Sequence, residues 1–303
     1  RGTLMIAGEH AVLHDKHALV ASVDQRVGVT LQPRDDSAIL IHSALGERKM
    51  SVDAIDSSPP FHFLGAVIQK RQSAYLHGFE LTVTADFPAD IGLGSSSAVT
   101  VAALAAIETW LTGSFPDKTS LMQDAVAIIR DVQGMGSGAD VAATVWGGIL
   151  LYRATPDVIA RHVTLPPIAL VYVGYKTPTP DVIRLVETAR EDSPDGFQAL
   201  FNRMETCVLF ANAALVAEDW VALGSALNAG QQLMAELGVA DDGLSDIVST
   251  MKAMPDIRGA KISGSGLGDC VLGIGSLDTV DWPYRSIPVA LSPDGARLEK
   301  SKA

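Results

Sequence analysis

Residues 88–98 read Pro-Ala-Asp-Ile-Gly-Leu-Gly-Ser-Ser-Ser-Ala. Two glycines followed by three serines suit one kind of chemistry: holding an anion with backbone amides and hydroxyls. In residues 79–85, Leu81 and Val83 alternate with Glu80, Thr82 and Thr84, which predicts a strand. Residues 99–111 are small and apolar, with helical spacing and no breaker. The glycines and serines therefore sit where a strand turns into a helix. The first N–H groups of a helix lack internal partners, and the helix dipole favours negative charge there. Gly92 and Gly94, on either side of Leu93, let a ligand approach the backbone closely. Ser95, Ser96 and Ser97 add hydroxyls able to bind phosphate oxygens or a hydrated Mg²⁺. The stretch lacks the Gly-Lys-Ser/Thr ending of a P-loop and does not fit Gly-x-Gly-x-x-Gly. Taken alone, it also matches a serine-capped turn with no ligand.

Two further glycine-rich turns change that balance. Gln133-Gly-Met-Gly-Ser-Gly-Ala-Asp140 carries an acid two residues after its last glycine. Ser263-Gly-Ser-Gly-Leu-Gly-Asp269 lies between two predicted strands, where a backbone can come close to a ligand. A phosphate cradle, a carboxylate and another glycine loop are the parts of a phosphotransferase. Phosphoryl transfer needs positioning and charge stabilisation, plus a group that orients or deprotonates the acceptor hydroxyl.

The elements that must position these turns read as α+β. The first third of the chain is strand-rich: residues 4–7, a strand-like run over 18–31, and a hairpin from 38–41 and 48–52 around Gly46. A helix spans 63–71. After the helix over 99–111 come a helix over 118–132, capped by Thr119 or Ser120, a short helix over 141–146 and a strand over 149–152. Residues 154–167, proline-bearing and mixed in polarity, mark the boundary between a domain at 1–160 and one at 161–303. The second domain reads as a strand over 168–173, helices over 180–190, 196–217, 220–237 and 244–254, strands over 259–262 and 270–274, and a last strand over 286–290. A polar, loose tail follows from 294.

The 303 residues are 48% hydrophobic, enough for a sizeable core, and the formal net charge is −12. That charge argues against a nucleic-acid backbone or an anionic membrane surface as partner, while leaving small anions to local dipoles. Cys207 and Cys270 form no CxxC or Cys/His cluster, so a disulfide framework or structural zinc is unsupported and a reducing cytoplasm is expected. No signal peptide is visible at Arg1, and the longest apolar run is too short to span a bilayer.

Residues 88–98 closely resemble the ATP loop of the GHMP kinases, the family of galactokinase, homoserine kinase, mevalonate kinase and phosphomevalonate kinase. Gly8-Glu9-His10-Ala11-Val12 resembles the family's first motif in the form its mevalonate-phosphorylating members carry. Residues 261–270 resemble the third motif, and Ser137-Gly-Ala-Asp140 followed by Trp146-Gly-Gly resembles the segment holding the catalytic aspartate. Asn228-Ala-Gly-Gln-Gln-Leu-Met with Leu237-Gly-Val239 is similar to a helix near the C-terminus of such members. The resemblance spans nearly the whole chain. It implies an N-terminal mixed domain of ribosomal-protein-S5-domain-2 type and a C-terminal ferredoxin-like domain, with ATP and Mg²⁺ in a cleft between them.

The resemblance also implies roles. Gly92, Leu93, Gly94, Ser95, Ser96 and Ser97 would hold the phosphates, with Ser96 also at Mg²⁺. Asp140 would face the acceptor hydroxyl, and Glu9 and His10 would lie beside the acceptor. Gly264, Gly266 and Gly268 would support the loop shaping the site, and Lys176 would flank the acceptor pocket. The implied acceptor is a small alcohol, mevalonate first; phosphomevalonate, another family acceptor, or a catalytically silent ligand-binding relative are the alternatives. A homodimer is compatible with this reading. Two positions depart from the family. The lysine usual five residues before the glycine of Gly-Glu-His is here Thr3. The acidic Mg²⁺ ligand usual shortly before the aspartate segment has Asp131 and Asp124 as its nearest counterparts, and Asp131 takes that assignment.

Overall fold

The computed structural model describes residues 1–88, 91–155, 157–277 and 284–299; Ala89 and Asp90 of the first glycine turn and the last residues of the tail lie outside these. The chain runs β1 (Thr3–Ala7), a 3-10 turn (Ala11–His14), β2 (His17–Ser22), β3 (Val27–Pro33), β4 (Ala38–Ser43), β5 (Gly46–Ser51), α1 (His62–Lys70), β6 (Phe79–Ala85) and α2 (Ser95–Thr112). It continues through α3 (Lys118–Gln133), α4 (Ala139–Trp146), β7 (Ile149–Arg153), β8 (Asp157–His162) and β9 (Ile168–Tyr172). The remainder is α5 (Thr179–Asp192), α6 (Pro194–Val216), α7 (Trp220–Glu236), α8 (Asp242–Lys252), β10 (Ile257–Ser263), β11 (Cys270–Gly275) and β12 (Arg285–Ser286).

These strands form three sheets, ordered β1-β2-β7-β8, β3-β6-β4-β5 and β10-β11-β9-β12. All pairings are antiparallel except β4 with β6. Thr3, Leu4, Ile6 and Ala7 of β1 are all buried, so this strand is covered on both faces. β3 alternates half-buried and exposed positions, as a strand with one covered face must. α2 buries Ser97, Ala98, Val101, Leu104 and Ile107 among others; its small side chains allow close packing against β3, α1, α3 and α4.

The expected run over 18–31 is two strands in different sheets. Asp24-Gln25-Arg26 breaks it, and Asp24 N–H bonds instead to the carbonyl of Ala290 at 2.8 Å. The polar segment after 154 holds β8, which pairs with β7 and so extends the first sheet across position 160. The cap of α3 is Asp117, whose carboxylate accepts from Ser120 N–H at 3.0 Å, rather than Thr119 or Ser120. The last strand is shorter than expected: Arg285 and Ser286 pair with β9, and Ile287 N–H adds one bond to the Leu170 carbonyl at 2.9 Å. The described part of the tail is not loose: Ala296 N–H bonds to Val145 O at 3.2 Å, and Asp294 pairs with Arg1 at 3.0 Å.

One apolar cluster fills the space between the first sheet and the C-terminal helices. It joins Leu4, Ile6, Leu19 and Ile149 to Leu170, Val208, Leu223 and Leu272. At its rim, Ser263 Oγ donates to the Met5 carbonyl at 2.8 Å, tying β10 to β1. Beside that bond the Lys261 ammonium pairs with Glu9, both side chains at most 2% exposed. Removing one member of a buried ion pair leaves the other charge uncompensated, which costs about 3–5 kcal/mol. Lys261→Met should therefore lower the unfolding free energy by about that amount, and adding Glu9→Leu should recover most or all of the loss. Urea melts of the two variants test this. A single change costing less than about 1 kcal/mol, the ordinary size for a point mutation, would show that the pair holds nothing.

Candidate active site

The phosphate side begins at the N-terminus of α2. The first helical bond runs from Ala98 N–H to Gly94 O at 3.0 Å, leaving the amides ahead of it outside the ladder. Gly92 and Gly94 have φ of 72° and 62°. A Cβ on Gly94 would stand 2.0 Å from Thr3 Oγ1, and one on Gly92 would stand 2.6 Å from Asp269 Oδ1. Both glycines are thus required twice, by conformation and by contact. Leu93 is buried in the core at 1% exposure, and its carbonyl accepts from Thr3 N–H at 3.0 Å. Leu93 therefore anchors the loop to β1, while Gly92, Gly94, Ser95, Ser96 and Ser97 line the cavity.

Asp140 occupies the first turn of α4, after Gly138, whose φ of 85° turns the chain into the helix. The N-termini of α2 and α4 thus reach one cavity of about 210 Å³. Asp140 Oδ1 accepts from Thr3 Oγ1 at 2.7 Å. Burial pushes the Asp140 carboxyl above the usual carboxylate range, while the Thr3 hydroxyl and the nearby Lys176 charge oppose that rise.

On the acceptor side, Glu9 and His10 follow Gly8, whose φ of 91° lets the chain leave β1 beneath β2. His10 itself has a φ of 57°. Its Nε2–H donates to the Ser265 carbonyl at 2.8 Å, and burial lowers its pKa. Glu9 Oε2 and Ser265 Oγ are buried without a hydrogen-bond partner. Both residues line the cavity together with Gly264, Met5, Val12, Leu13 and Ile183. Gly266 does not line it; this glycine packs on Val239, where a Cβ would meet the carbonyl at 2.4 Å.

Asp131, expected to bind the metal, is exposed and outside the cavity lining, because its position on α3 faces away. Asp124 pairs with Lys70 at 3.3 Å and with Arg71 at 2.6 Å. The acid that reaches the phosphate loop is Asp269, which sequence reasoning passed over; the only cue was a carboxylate closing a glycine turn. Its Oδ2 lies 3.3 Å from Lys176 Nζ, and Oδ1 is buried without a hydrogen-bond partner. Burial raises the Asp269 pKa, Lys176 opposes that rise, and Asp140 adds to it. Among the described residues no group of three or more His, Cys, Asp or Glu is placed to hold a metal unaided. One hydroxyl, Ser96, and the carboxylates of Asp140 and Asp269 nevertheless form a hard oxygen set around the cavity. Such a set suits Mg²⁺ shared with substrate phosphates, and the unpartnered oxygen of Asp269 has capacity to spare.

Comparison with known proteins agrees with this geometry. The GHMP kinases N terminal domain matches residues 62–148, and the GHMP kinases C terminal domain matches residues 211–281. Mevalonate kinase of Archaeoglobus fulgidus is 29% identical over 299 residues, covering 99% of this chain and 98% of its own. A crystal structure of mevalonate kinase superposes with a TM-score of 0.80 at 17% identity, covering 96% of this chain and 97% of that one. The Streptococcus pneumoniae phosphomevalonate kinase in complex with phosphomevalonate and AMPPNP gives a TM-score of 0.75 at 16% identity, covering 90% of each chain. Both structures share the two-domain fold.

The Thr3 hydroxyl stabilises the ionised form of Asp140, so its removal should raise the Asp140 pKa further. A ¹³C NMR titration of carboxyl-labelled protein should show the Asp140 midpoint moving up in Thr3→Val and staying near wild type in Thr3→Ser. A midpoint that stays put or falls in Thr3→Val would show that the bond does not act on the charged carboxylate.

Proposed function

We propose, starting from a chain that belongs to the GHMP kinase family, that it transfers the terminal phosphoryl group of ATP to the primary hydroxyl of mevalonate. The observation that carries the reaction is the Thr3–Asp140 pair, at 2.7 Å, sharing one cavity with the N-terminus of α2 and the turn of Glu9 and His10. The amides of α2 and the hydroxyls of Ser95 and Ser96 would bind the phosphates, and Gly94 keeps the backbone close to Thr3. Mg²⁺, held by Ser96 and Asp269, would neutralise charge on the phosphate oxygens. Asp140 would take the acceptor's proton as the acceptor oxygen bonds to phosphorus and the bond to ADP breaks. Its raised pKa makes it a stronger base than an ordinary carboxylate, and the Thr3 hydroxyl keeps it ionised and aimed.

The acceptor assignment rests on relatives and on pocket chemistry. The Archaeoglobus mevalonate kinase aligns over nearly the whole chain. The unpartnered Glu9 Oε2 can accept from an alcohol, and the Ser265 hydroxyl and His10 sit beside apolar Met5, Val12 and Leu13. That mixture suits the hydroxyls and the hydrocarbon body of a small alcohol. A phosphorylated acceptor would need several cations, whereas Lys176 is the one Lys or Arg among the described residues lining the cavity. Phosphomevalonate is therefore the weaker candidate.

In a coupled ADP-release assay, mevalonate should give the highest kcat/KM among mevalonate, phosphomevalonate, homoserine and galactose. A preference for phosphomevalonate, or nucleotide binding with turnover on none of the four, would overturn the acceptor assignment. Asp140→Asn should lower kcat at least ~100-fold, the low end for loss of a general base. The same change should not destabilise the fold. Because the folded-state pKa of Asp140 is raised, the native protein binds more protons than the unfolded chain just above the ordinary carboxylate range, and stability falls as pH rises through that window. Asn removes this penalty, so the Tm at pH 7 should equal or exceed that of wild type. A variant that keeps kcat within a few-fold, or that melts well below wild type, would contradict the role given to Asp140.

A further inference from the structure

We infer that Lys176 supplies the positive charge that meets the transferring phosphoryl group, and that the third glycine loop exists in its present form to hold that lysine. The inference rests on the kinase reading above. A site that moves a phosphoryl group must place a cation or strong donors at its oxygens. Thr3 offers only a hydroxyl, and that is already committed to Asp140. Lys261, the nearest alternative on the C-terminal side, is 1% exposed and paired with Glu9. Lys176 is left, on the link between β9 and α5, lining the cavity with its side chain 31% exposed.

Its backbone is tied to the third loop on both sides. Asp269 N–H donates to the Tyr175 carbonyl at 2.9 Å, and Thr177 Oγ1 donates to the Leu267 carbonyl at 2.5 Å. Gly268, at φ 127°, lets the two segments meet: a Cβ there would lie 3.0 Å from Lys176 Cα. The side chain is then aimed by Asp269 Oδ2 at 3.3 Å. The other oxygen of Asp269 lies against Gly92 of the phosphate loop, so the lysine and its tether sit beside that loop. The Lys176 charge also acts on Asp140, which lines the same cavity. A lysine held at backbone and side chain loses little entropy when it engages a phosphate, which is what preorganised stabilisation requires. A purely structural ion pair would need none of this placement inside the cavity.

The test compares wild type, Lys176→Met and Lys176→Arg, using calorimetric affinities for MgAMPPNP and MgADP, and kcat and KM with mevalonate. Wild type should bind MgAMPPNP at least ~10-fold more tightly than MgADP, since a cation at the terminal phosphoryl senses its presence. Lys176→Met should shrink that preference to within ~3-fold and lower kcat ~100-fold or more, the scale for losing one charge-stabilising donor, with KM for mevalonate little changed. Lys176→Arg should keep the preference and most of kcat. The inference fails if Lys176→Met retains both the preference and kcat, or if its only effect is a higher KM for mevalonate. A wild type that shows the nucleotide preference but phosphorylates no mevalonate would overturn the acceptor assignment alone, with Lys176 then judged on whether Lys176→Met erases the preference.

Discussion

Everything in the cavity depends on how β1 and β10 are locked together, and the lock is the buried pair of Glu9 and Lys261. Glu9 follows Gly8 at the end of β1, the strand whose first residue, Thr3, holds the Asp140 carboxylate. Lys261 lies on β10, the strand that feeds the third glycine loop and Asp269. One ion pair therefore sets the distance between the two sets of reactive groups. Burying two charges is expensive, and a hydrophobic pair of similar volume would serve stability as well or better. What the pair adds here is register: neither strand can slide without stranding a charge in the core.

The chain is strongly acidic, yet its candidate site is built to receive an anion. Global charge and local field part company because the attraction is local. Helix N-termini, backbone amides at left-handed glycines and a single lysine act within a few ångströms, in a cavity where water screens little. The two carboxylates in the site have their own reasons to be there. Asp140 stands at a helix N-terminus with Thr3 as donor, and Asp269 faces Lys176 while keeping an oxygen to spare. Burial raises both pKa values, which strengthens the first as a proton acceptor, while Lys176 opposes the rise in the second.

The three glycine turns, Asp140 and most helices were legible in the sequence because each leaves a local mark: a breaker pattern, a cap, or an apolar stripe at period 3.6. The α+β class followed from the strand-rich opening. What escaped was whatever depends on distant partners. The break at Asp24 that splits β2 from β3 is held by Ala290, far along the chain. β8 hides in a polar segment because it is an edge strand with alternate residues exposed. The cap, Asp117, stands two or three residues before the expected Thr119 or Ser120, because the side chain that accepts from Ser120 N–H must precede the helix. Asp131 was favoured by nearness in sequence, whereas Asp269 reaches the phosphate loop only through tertiary folding. The pairing of Lys261 with Glu9 had no sequence signature at all, since each side chain alone reads as surface charge.

The central claim is that phosphate loop, acceptor turn and Asp140 serve one reaction centre. A crystal structure with MgAMPPNP and mevalonate bound together tests it most directly. The account predicts the terminal phosphate against the first turn of α2, and the primary hydroxyl of mevalonate within hydrogen-bond distance of Asp140, with Thr3 still bonded to the same carboxylate. A nucleotide whose phosphates lie away from Gly94 and Ser96, or an acceptor hydroxyl that faces a group other than Asp140, would contradict it.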